Sequence, residues 1–298
     1  MTLRQYKTPA AFKQALEARL QDAARTSGRP LNRLRQQLVF DRFLTRVFAV
    51  LGDAVVLKGG IVLELRLERA RSTRDVDLRC TGKPDLLLEQ LREAGRRDAG
   101  DHILFEVGVG LHGPIIDGEG MVYEGRRFRV EARLADKPYG HPFGVDAAFG
   151  DVLVGVPEII EGSNLLAFAG VPRSKLRVYP RETHVAEKVH AYTLPRERVN
   201  SRMKDLPDLA LLAQTGTFDQ ELLRSALEST FTFRRSHALP AALPPPPLSW
   251  AQPYEHLARD DGLPWPTLAD VYRAARTFLD PVLSSEGKMW NPDRWTWD

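Results

Sequence analysis

Apolar residues recur at helical spacing through the first fifty positions. Thr8-Pro9 supplies a capping hydroxyl followed by proline at the first helical position, and predicts a helix running to about Ser27. Gly28-Arg29-Pro30 breaks it, and Leu31, Leu34, Leu38, Phe43 or Leu44, Val47 and Phe48 carry the period through a second helix to about Val50. The pattern then changes. Ala54 to Lys58 is a short apolar run ended by Gly59-Gly60, the signature of a buried strand; Ile61 to Glu68 predicts a short helix and Asp75 to Cys80 a strand. Pro84 to about Arg97 predicts a helix, and three extended stretches follow at Ile103–Val109, Arg127–Leu134 and Phe143–Phe149. The second alternates cleanly: Phe128, Val130, Ala132 and Leu134 oppose Arg127, Arg129, Glu131 and Arg133, as on a half-buried strand.

Beyond this mixed α/β stretch the pattern is helical, over Glu182–Leu194, Met203–Gln214, Asp219–Ser229 and Thr267–Leu283. A proline-rich segment at 240–247 ends in four consecutive prolines and reads as a stiff wrap or spacer. The expected organisation is therefore residues 1–160, two N-terminal helices plus an α/β core with a mixed sheet, and residues 161–298, a mainly helical C-terminal domain.

The chemistry concentrates in one stretch. Asp75 and Asp77 sit two apart on a predicted strand, so both carboxylates project from one face. Charges held so close repel, and a divalent cation between them removes the repulsion; oxygen ligands favour Mg2+ or Mn2+ over zinc. Gly59 and Gly60, between strand and helix, would let backbone N–H groups approach a phosphate. Together these describe a site for a nucleoside triphosphate and its metals. A third carboxylate is expected from a neighbouring strand: Asp146, with Glu131 as second choice. The alternative is that Asp75 and Asp77 merely flank Arg74 and Arg79 in surface ion pairs. Lys188 lies mid-helix among Val185, Val189 and Tyr192 and needs an anionic partner, either a phosphate or an acid such as Asp208 or Asp205. His190 reads as a packing or capping residue.

Composition narrows the setting. The 298 residues, 43% hydrophobic and 27% charged, are those of a globular protein of about two domains. The single cysteine, Cys80, excludes a disulfide framework and a Cys-rich zinc site. No run of apolar residues is long enough for a membrane span, and the first residues lack the apolar core of a signal peptide, so a soluble cytoplasmic protein is expected. Net charge is only +3, but residues 1–50 hold ten Lys/Arg against three Asp/Glu, which suggests a polyanion-facing segment built on Arg25, Arg29, Arg33, Arg35 and Arg42. The competing reading is a pair of solvated helices.

The order of motifs resembles a known family. Leu57-Lys58-Gly59-Gly60, then Arg71-Ser72-Thr73-Arg74-Asp75-Val76-Asp77, then Val185-Ala186-Glu187-Lys188-Val189-His190-Ala191 and Arg202-Met203-Lys204-Asp205-Leu206-Pro207-Asp208-Leu209, are similar to the AbiEii/AbiGii toxins. These are a branch of the polymerase-beta-like nucleotidyltransferases that includes the mycobacterial MenT toxins. The resemblance covers about residues 50–215. It implies a nucleotidyltransferase fold, Mg2+ or Mn2+ as cofactor and an NTP as substrate. It also implies transfer of a nucleoside monophosphate to the 3′ end of RNA, most simply tRNA, by the toxin of a toxin–antitoxin pair with a cognate antitoxin protein. Asp75, Asp77 and Asp146 would bind metal, with Asp146 a possible base. Lys58 and Lys188 would contact phosphate, Asp208 would orient Lys188, and Gly59, Gly60, Thr73 and Arg74 would border the nucleotide. Nucleotidylation of a small molecule or protein, and GTP binding without RNA transfer, are the rival readings.

Overall fold

The computed structural model describes residues 6–67, 73–110, 115–116, 124–195 and 201–298. Glu68, Arg71 and Ser72 lie outside the described residues. Helix α1 (Pro9–Ser27) opens where Thr8 accepts the Ala11 N–H at 3.2 Å and closes on Gly28 in the left-handed region. Helix α2 (Leu31–Leu51) follows. Strand β1 (Val55–Lys58) leads into the short helix α3 (Gly60–Arg66) and then β2 (Asp75–Cys80). After helix α4 (Leu87–Arg96) come β3 (Ile103–Val109), β4 (Ile115–Ile116), β5 (Glu124–Leu134), β6 (Lys137–Pro138) and β7 (Phe143–Phe149).

Two further strands, β8 (Glu158–Glu161) and β9 (Lys175–Val178), complete a mixed sheet in the order β3-β5-β7-β2-β1-β9-β8. Strands β1 and β2 are antiparallel, whereas β2 runs parallel to β7 and β1 parallel to β9. The boundary expected at residue 160 thus falls inside β8, whose partner β9 bonds to β1, and the first hydrophobic core runs on to Val178. Strand alternation decides which side chains enter that core. Val76, Leu78, Phe128, Val130, Phe143 and Val145 are buried on the face covered by α2, where the Phe43 ring lies 5.3 Å from Phe105 and 5.4 Å from Phe143. Asp75, Asp77, Arg127, Gly144 and Asp146 alternate with them and project from the other face.

The rest is helical, as expected. Helices α5 (Arg181–Thr193) and α6 (Asp205–Ala213) precede strand β10 (Phe218–Asp219) and helix α7 (Gln220–Arg234), and then come α8 (Ala251–Asp261) and α9 (Leu268–Leu283). Strands β11 (Met289–Asn291) and β12 (Thr296–Trp297) pair with β10 in a small antiparallel sheet that the sequence reading did not anticipate; nor did it anticipate β8, β9 or α8. These elements form a second core, to which α3 contributes Leu63. The proline-rich segment wraps over it: the hydroxyls of Tyr192 and Tyr272 donate to the carbonyls of Pro244 and Leu243, both at 2.9 Å.

The N-terminal arginines correct an expectation. Arg42 and Arg46 are 2% and 1% exposed and clamp Asp101: Arg42 Nε donates at 2.6 Å and Arg46 Nη1 at 2.9 Å to Oδ2. Burial works to raise the Asp101 carboxyl, but the two guanidiniums outweigh it and hold the carboxyl below its ordinary value. Arg35 donates twice to Glu17, at 2.6 and 3.1 Å; Arg33 faces Asp261 at 3.6 Å; Arg29 donates to Gln37 at 2.6 Å; Arg25 pairs with Asp22. Arg42 therefore cannot face a polyanion, and Arg29, Arg33 and Arg35 are engaged within the protein, whereas Arg25 pairs with Asp22 on the exposed surface. A count of charges does not see burial, and that is why the segment read as a basic face.

Candidate functional site

Three adjacent strands bring the acidic residues together. In the parallel β2–β7 pair Asp77 is the register partner of Asp146 and Asp75 of Gly144; in the antiparallel β5–β7 pair Asp146 faces Arg127. Asp77, Asp146 and Arg127 thus stand side by side across the sheet. Strand β1 lies on the other side of Asp77, with Lys58 as its register partner. Glu131 lies farther along β5, opposite Glu106 of β3 and paired with Arg129 at 2.9 Å, away from the acidic group. Between the two candidates for third carboxylate, Asp146 is the one the sheet places beside Asp77.

Two glycines make room for the carboxylates. A Cβ on Gly59, whose φ is +71°, would stand 2.0 Å from Asp77 Oδ2; a Cβ on Gly144 would stand 2.7 Å from Asp75 Oδ1. The Gly144 N–H donates to that same Asp75 oxygen at 3.2 Å. Gly59 is therefore required by the approach of Asp77 as much as by any ligand. The segment entering β2 is also tied down: the Thr73 N–H donates to Glu64 of α3 at 2.7 Å, and Gln37 of α2 donates to the other Glu64 oxygen.

The acidic face floors a cleft of about 620 Å³ whose opposite wall comes from α5, the segment before α6, and the end of α7. Lys58, Gly59, Gly60, Thr73, Arg74, Asp75, Asp77, Asp146 and Lys188 all border it, so the sheet and the helices converge on the expected set. Asp208, fully buried, stands behind: Lys188 Nζ lies 2.7 Å from Asp208 Oδ2 and 2.8 Å from Asp205 Oδ1. The ammonium is held on two carboxylates at the cleft wall. The apolar setting of Lys188 and the spacing of the two acids on one turn of α6 were both readable from sequence.

The surroundings of Lys58 were not. Its ammonium bonds to Asp151 and to Glu187, at 3.0 and 3.2 Å to the two Glu187 oxygens, and Arg234 reaches the same acids at 3.4 and 3.1 Å. Lys58 thus borders the cleft from within a cage of two carboxylates, where the sequence reading had it directed at phosphate alone. Burial works to raise Asp151, and Lys58 and Arg234 outweigh it, so that carboxyl lies below its ordinary value; Glu187 is raised, by burial first and then by Asp151. The missed residues are Asp151, Glu187 and Arg234. Glu187 had a signal, since it lies on the same helical face as His184 and Lys188. His190 backs the cage, its Nδ1 lying 3.3 Å from Arg234 and its Nε2 2.7 Å from Ser236 Oγ.

Asp77 is held in an environment that disfavours its charge. Burial pushes its pKa up to about 6, and Asp146 adds to the rise, against the pull of Lys58 and Lys188. A carboxyl so placed gains from a cation at its oxygens. The oxygen donors and the repulsion between them fit a hard divalent ion. Even so, among the described residues no three acidic, histidine or cysteine side chains converge as a metal cage, and Asp146 is turned to Arg127, whose Nε donates to Oδ1 at 2.6 Å and whose Nη2 donates to Oδ2. His184, 1% exposed, borders the cleft with neither ring nitrogen hydrogen-bonded; burial, then Lys188, lowers its pKa to about 3 and keeps it neutral.

Among the described residues no helix is long and apolar enough to cross a membrane. No curated protein matches the chain. Among solved structures it is similar to the nucleotidyltransferase toxin MenT4 of Mycobacterium tuberculosis, at 17% identity and a TM-score of 0.57 over 93% of this chain and 92% of that one. It is also similar to JHP933 of Helicobacter pylori, at 18% identity and a TM-score of 0.47 over 84% of this chain and 94% of that one. The first of these likenesses shows the fold: a mixed-sheet nucleotidyltransferase core with helical flanks. The family model for the nucleotidyl transferase AbiEii toxin of type IV toxin–antitoxin systems matches residues 42–289, which takes in every residue of the cleft, and the chain belongs to that family of nucleotidyltransferase toxins.

Proposed function

We propose that this toxin transfers a nucleoside monophosphate from an NTP to the 3′ hydroxyl of RNA, with tRNA as the natural acceptor, and so blocks translation. The observation that carries the reading is the register of Asp77 and Asp146 on parallel strands, in a cleft whose lining also includes Arg74, Lys188, Arg202 and Lys204. Asp75, Asp77 and Asp146 would hold divalent Mg2+ or Mn2+. When bound, such cations lower the pKa of the attacking hydroxyl and stabilise the leaving pyrophosphate. Lys188, oriented by Asp208 and Asp205, grips the triphosphate, and Lys58 and Arg234 lend their positive field from the carboxylate cage. The RNA oxygen attacks the α-phosphorus, the bond to pyrophosphate breaks, and the hydroxyl proton passes to Asp146. Arg74, Arg202 and Lys204 at the cleft receive the acceptor's phosphate backbone.

One observation favours a second reading. Because Arg29, Arg33, Arg35 and Arg42 are engaged internally, they argue less for RNA, and a protein or small-molecule acceptor gains ground. Incubating the protein with total RNA, a soluble lysate fraction and each labelled NTP in turn separates the two. Label at RNA 3′ ends, lost in Asp75→Ala and Asp77→Ala, is the expected result. Label confined to protein or to a small molecule overturns the RNA acceptor.

A further inference from the structure

We propose that Arg127 alternates between two anions: it holds Asp146 while the cleft is free of metal, and passes to a phosphate of the bound substrate when a divalent cation claims that carboxylate. The inference rests on the metal-dependent transfer proposed above and adds a residue which that reading leaves out.

The geometry begins with the register. Asp77, Asp146 and Arg127 occupy neighbouring positions on β2, β7 and β5, so the guanidinium stands one strand beyond the carboxylate and the second acid one strand before it. Arg127 engages both Asp146 oxygens, the planar fork on a carboxylate. The side-chain hydrogen bond to Asp146 raises the guanidinium's pKa above its ordinary value, and the charges of Asp75 and Asp77 add to the rise. In a metal-free cleft this is the counter-charge on Asp146, as Lys58 and Lys188 are on Asp77. A divalent cation held by Asp77 and Asp146 would take over that task and would repel the guanidinium beside it.

Arg127 is free to respond. Its backbone is paired with Asp146 of β7, yet its side chain is 55% exposed and borders the cleft, so the guanidinium can turn without disturbing the sheet. The guanidinium end of the pair is open to solvent, so it can pass from one anion to another without uncovering a buried charge. The small residues Gly125, Ala147 and Ala148 line the cleft around it and leave space for the swing. A guanidinium released there meets a polyphosphate or a nucleic-acid backbone, whose oxygens match its fork as the carboxylate did.

Mn2+ binding, read by electron paramagnetic resonance on the purified full chain, tests the exchange directly. Arg127→Gln should bind Mn2+ at least tenfold tighter than the wild type, since its competitor is gone. Arg127→Lys, which keeps the charge and loses the fork, should fall between them; wild-type affinity in Arg127→Lys would show that only the field of the charge matters and would overturn the exchange. With Mn2+ saturating, Arg127→Gln should weaken binding either of a non-hydrolysable NTP or of an RNA 3′-end oligonucleotide, and the arm that weakens identifies which phosphate receives the guanidinium. If neither weakens, the second half of the proposal falls. If Asp77→Asn loses Mn2+ while Arg127→Gln binds it no tighter than the wild type, the exchange is wrong and the metal site stands. Absence of Mn2+ binding by the wild type removes the metal site and the exchange together.

Discussion

The arginines of the first two helices and the basic residues around the cleft look alike in the sequence and are used in opposite ways. Arg42 and Arg46 are sealed against Asp101, and Arg35 is fixed to Glu17, so their charge is neutralised where it stands and serves to join α1, α2 and the sheet. Around the cleft, Lys188, Lys58 and Arg234 are also held by carboxylates, but at the wall of a cavity large enough for a nucleotide. The difference teaches that pairing alone does not separate structural from functional charge. What separates them is whether the pair still borders open space.

That contrast is broken most sharply at Asp77. Asp77→Asn should reduce transfer by about a thousandfold or more, because the cation loses a ligand at the reacting centre. The same variant should be more stable in metal-free buffer. The native state holds the Asp77 proton up to about pH 6, so the ionised carboxylate costs stability above that pH, and the cost disappears as pH falls toward 4. A gain of about 1–2 kcal/mol at pH 7.5, absent at pH 4 and cancelled by Mg2+, would be seen in thermal melts with and without the ion.

Arg46→Leu tests the opposite region. Removing a fully buried partner leaves Asp101 underpaired and should cost about 3 kcal/mol of folding stability, measured by denaturant titration. Transfer per folded molecule should be unchanged. A loss of activity without a loss of stability would assign Arg46 to function after all.

His184 gives a smaller effect that is set by pH. Its pKa falls from 6.5 to about 3 on folding, so its contribution is complete above pH 6.5 and is lost as pH drops toward 3. Between pH 6.5 and 5 the wild type should lose about 2 kcal/mol that His184→Leu does not lose. Parallel pH profiles for the two proteins would show that the imidazole is solvated or bonded in solution.

The smallest effects should distinguish the two basic regions by salt. RNA binding should weaken with rising salt, with a log–log slope of about 0.7 per phosphate contact on a single strand. Arg202→Glu with Lys204→Glu should lower that slope by one or two contacts. Arg25→Glu with Arg29→Glu should leave it unchanged. Filter binding across a salt series measures both, and a slope that responds to Arg25 and Arg29 would return the N-terminal helices to the acceptor site.

How much of this was legible depends on how local each cause was. Thr8-Pro9 and Gly28 bound α1 through contacts within a few residues, and the Asp-X-Asp spacing fixes a common face through the pleat alone; both could be read directly. For the third carboxylate Asp146 could be ranked ahead of Glu131, but the position beside Asp77 could not be read, because it depends on which strand pairs with β2 and in what register. Strands β8 and β9 span four residues each and are half polar, too short for a period to emerge, and β9 joins β1 through Leu57 and Val178, 121 positions apart. The cage around Lys58 is the extreme case. Its acids lie 93 and 129 positions along the chain, and nothing near Asp151 announces a lysine partner.

The small sheet formed by β10, β11 and β12 has an optical consequence. The five tryptophans of the chain are Trp250, Trp265, Trp290, Trp295 and Trp297, and all five pack in or against the second core. Tryptophan emission is therefore a window on the helical body alone, and the sheet that carries the acidic residues is dark at those wavelengths. Circular dichroism in the far ultraviolet sees both bodies. If the two signals melt at the same temperature, the cores unfold as one cooperative unit; if emission lags, the sheet opens first and the cleft is lost while its helical wall remains folded.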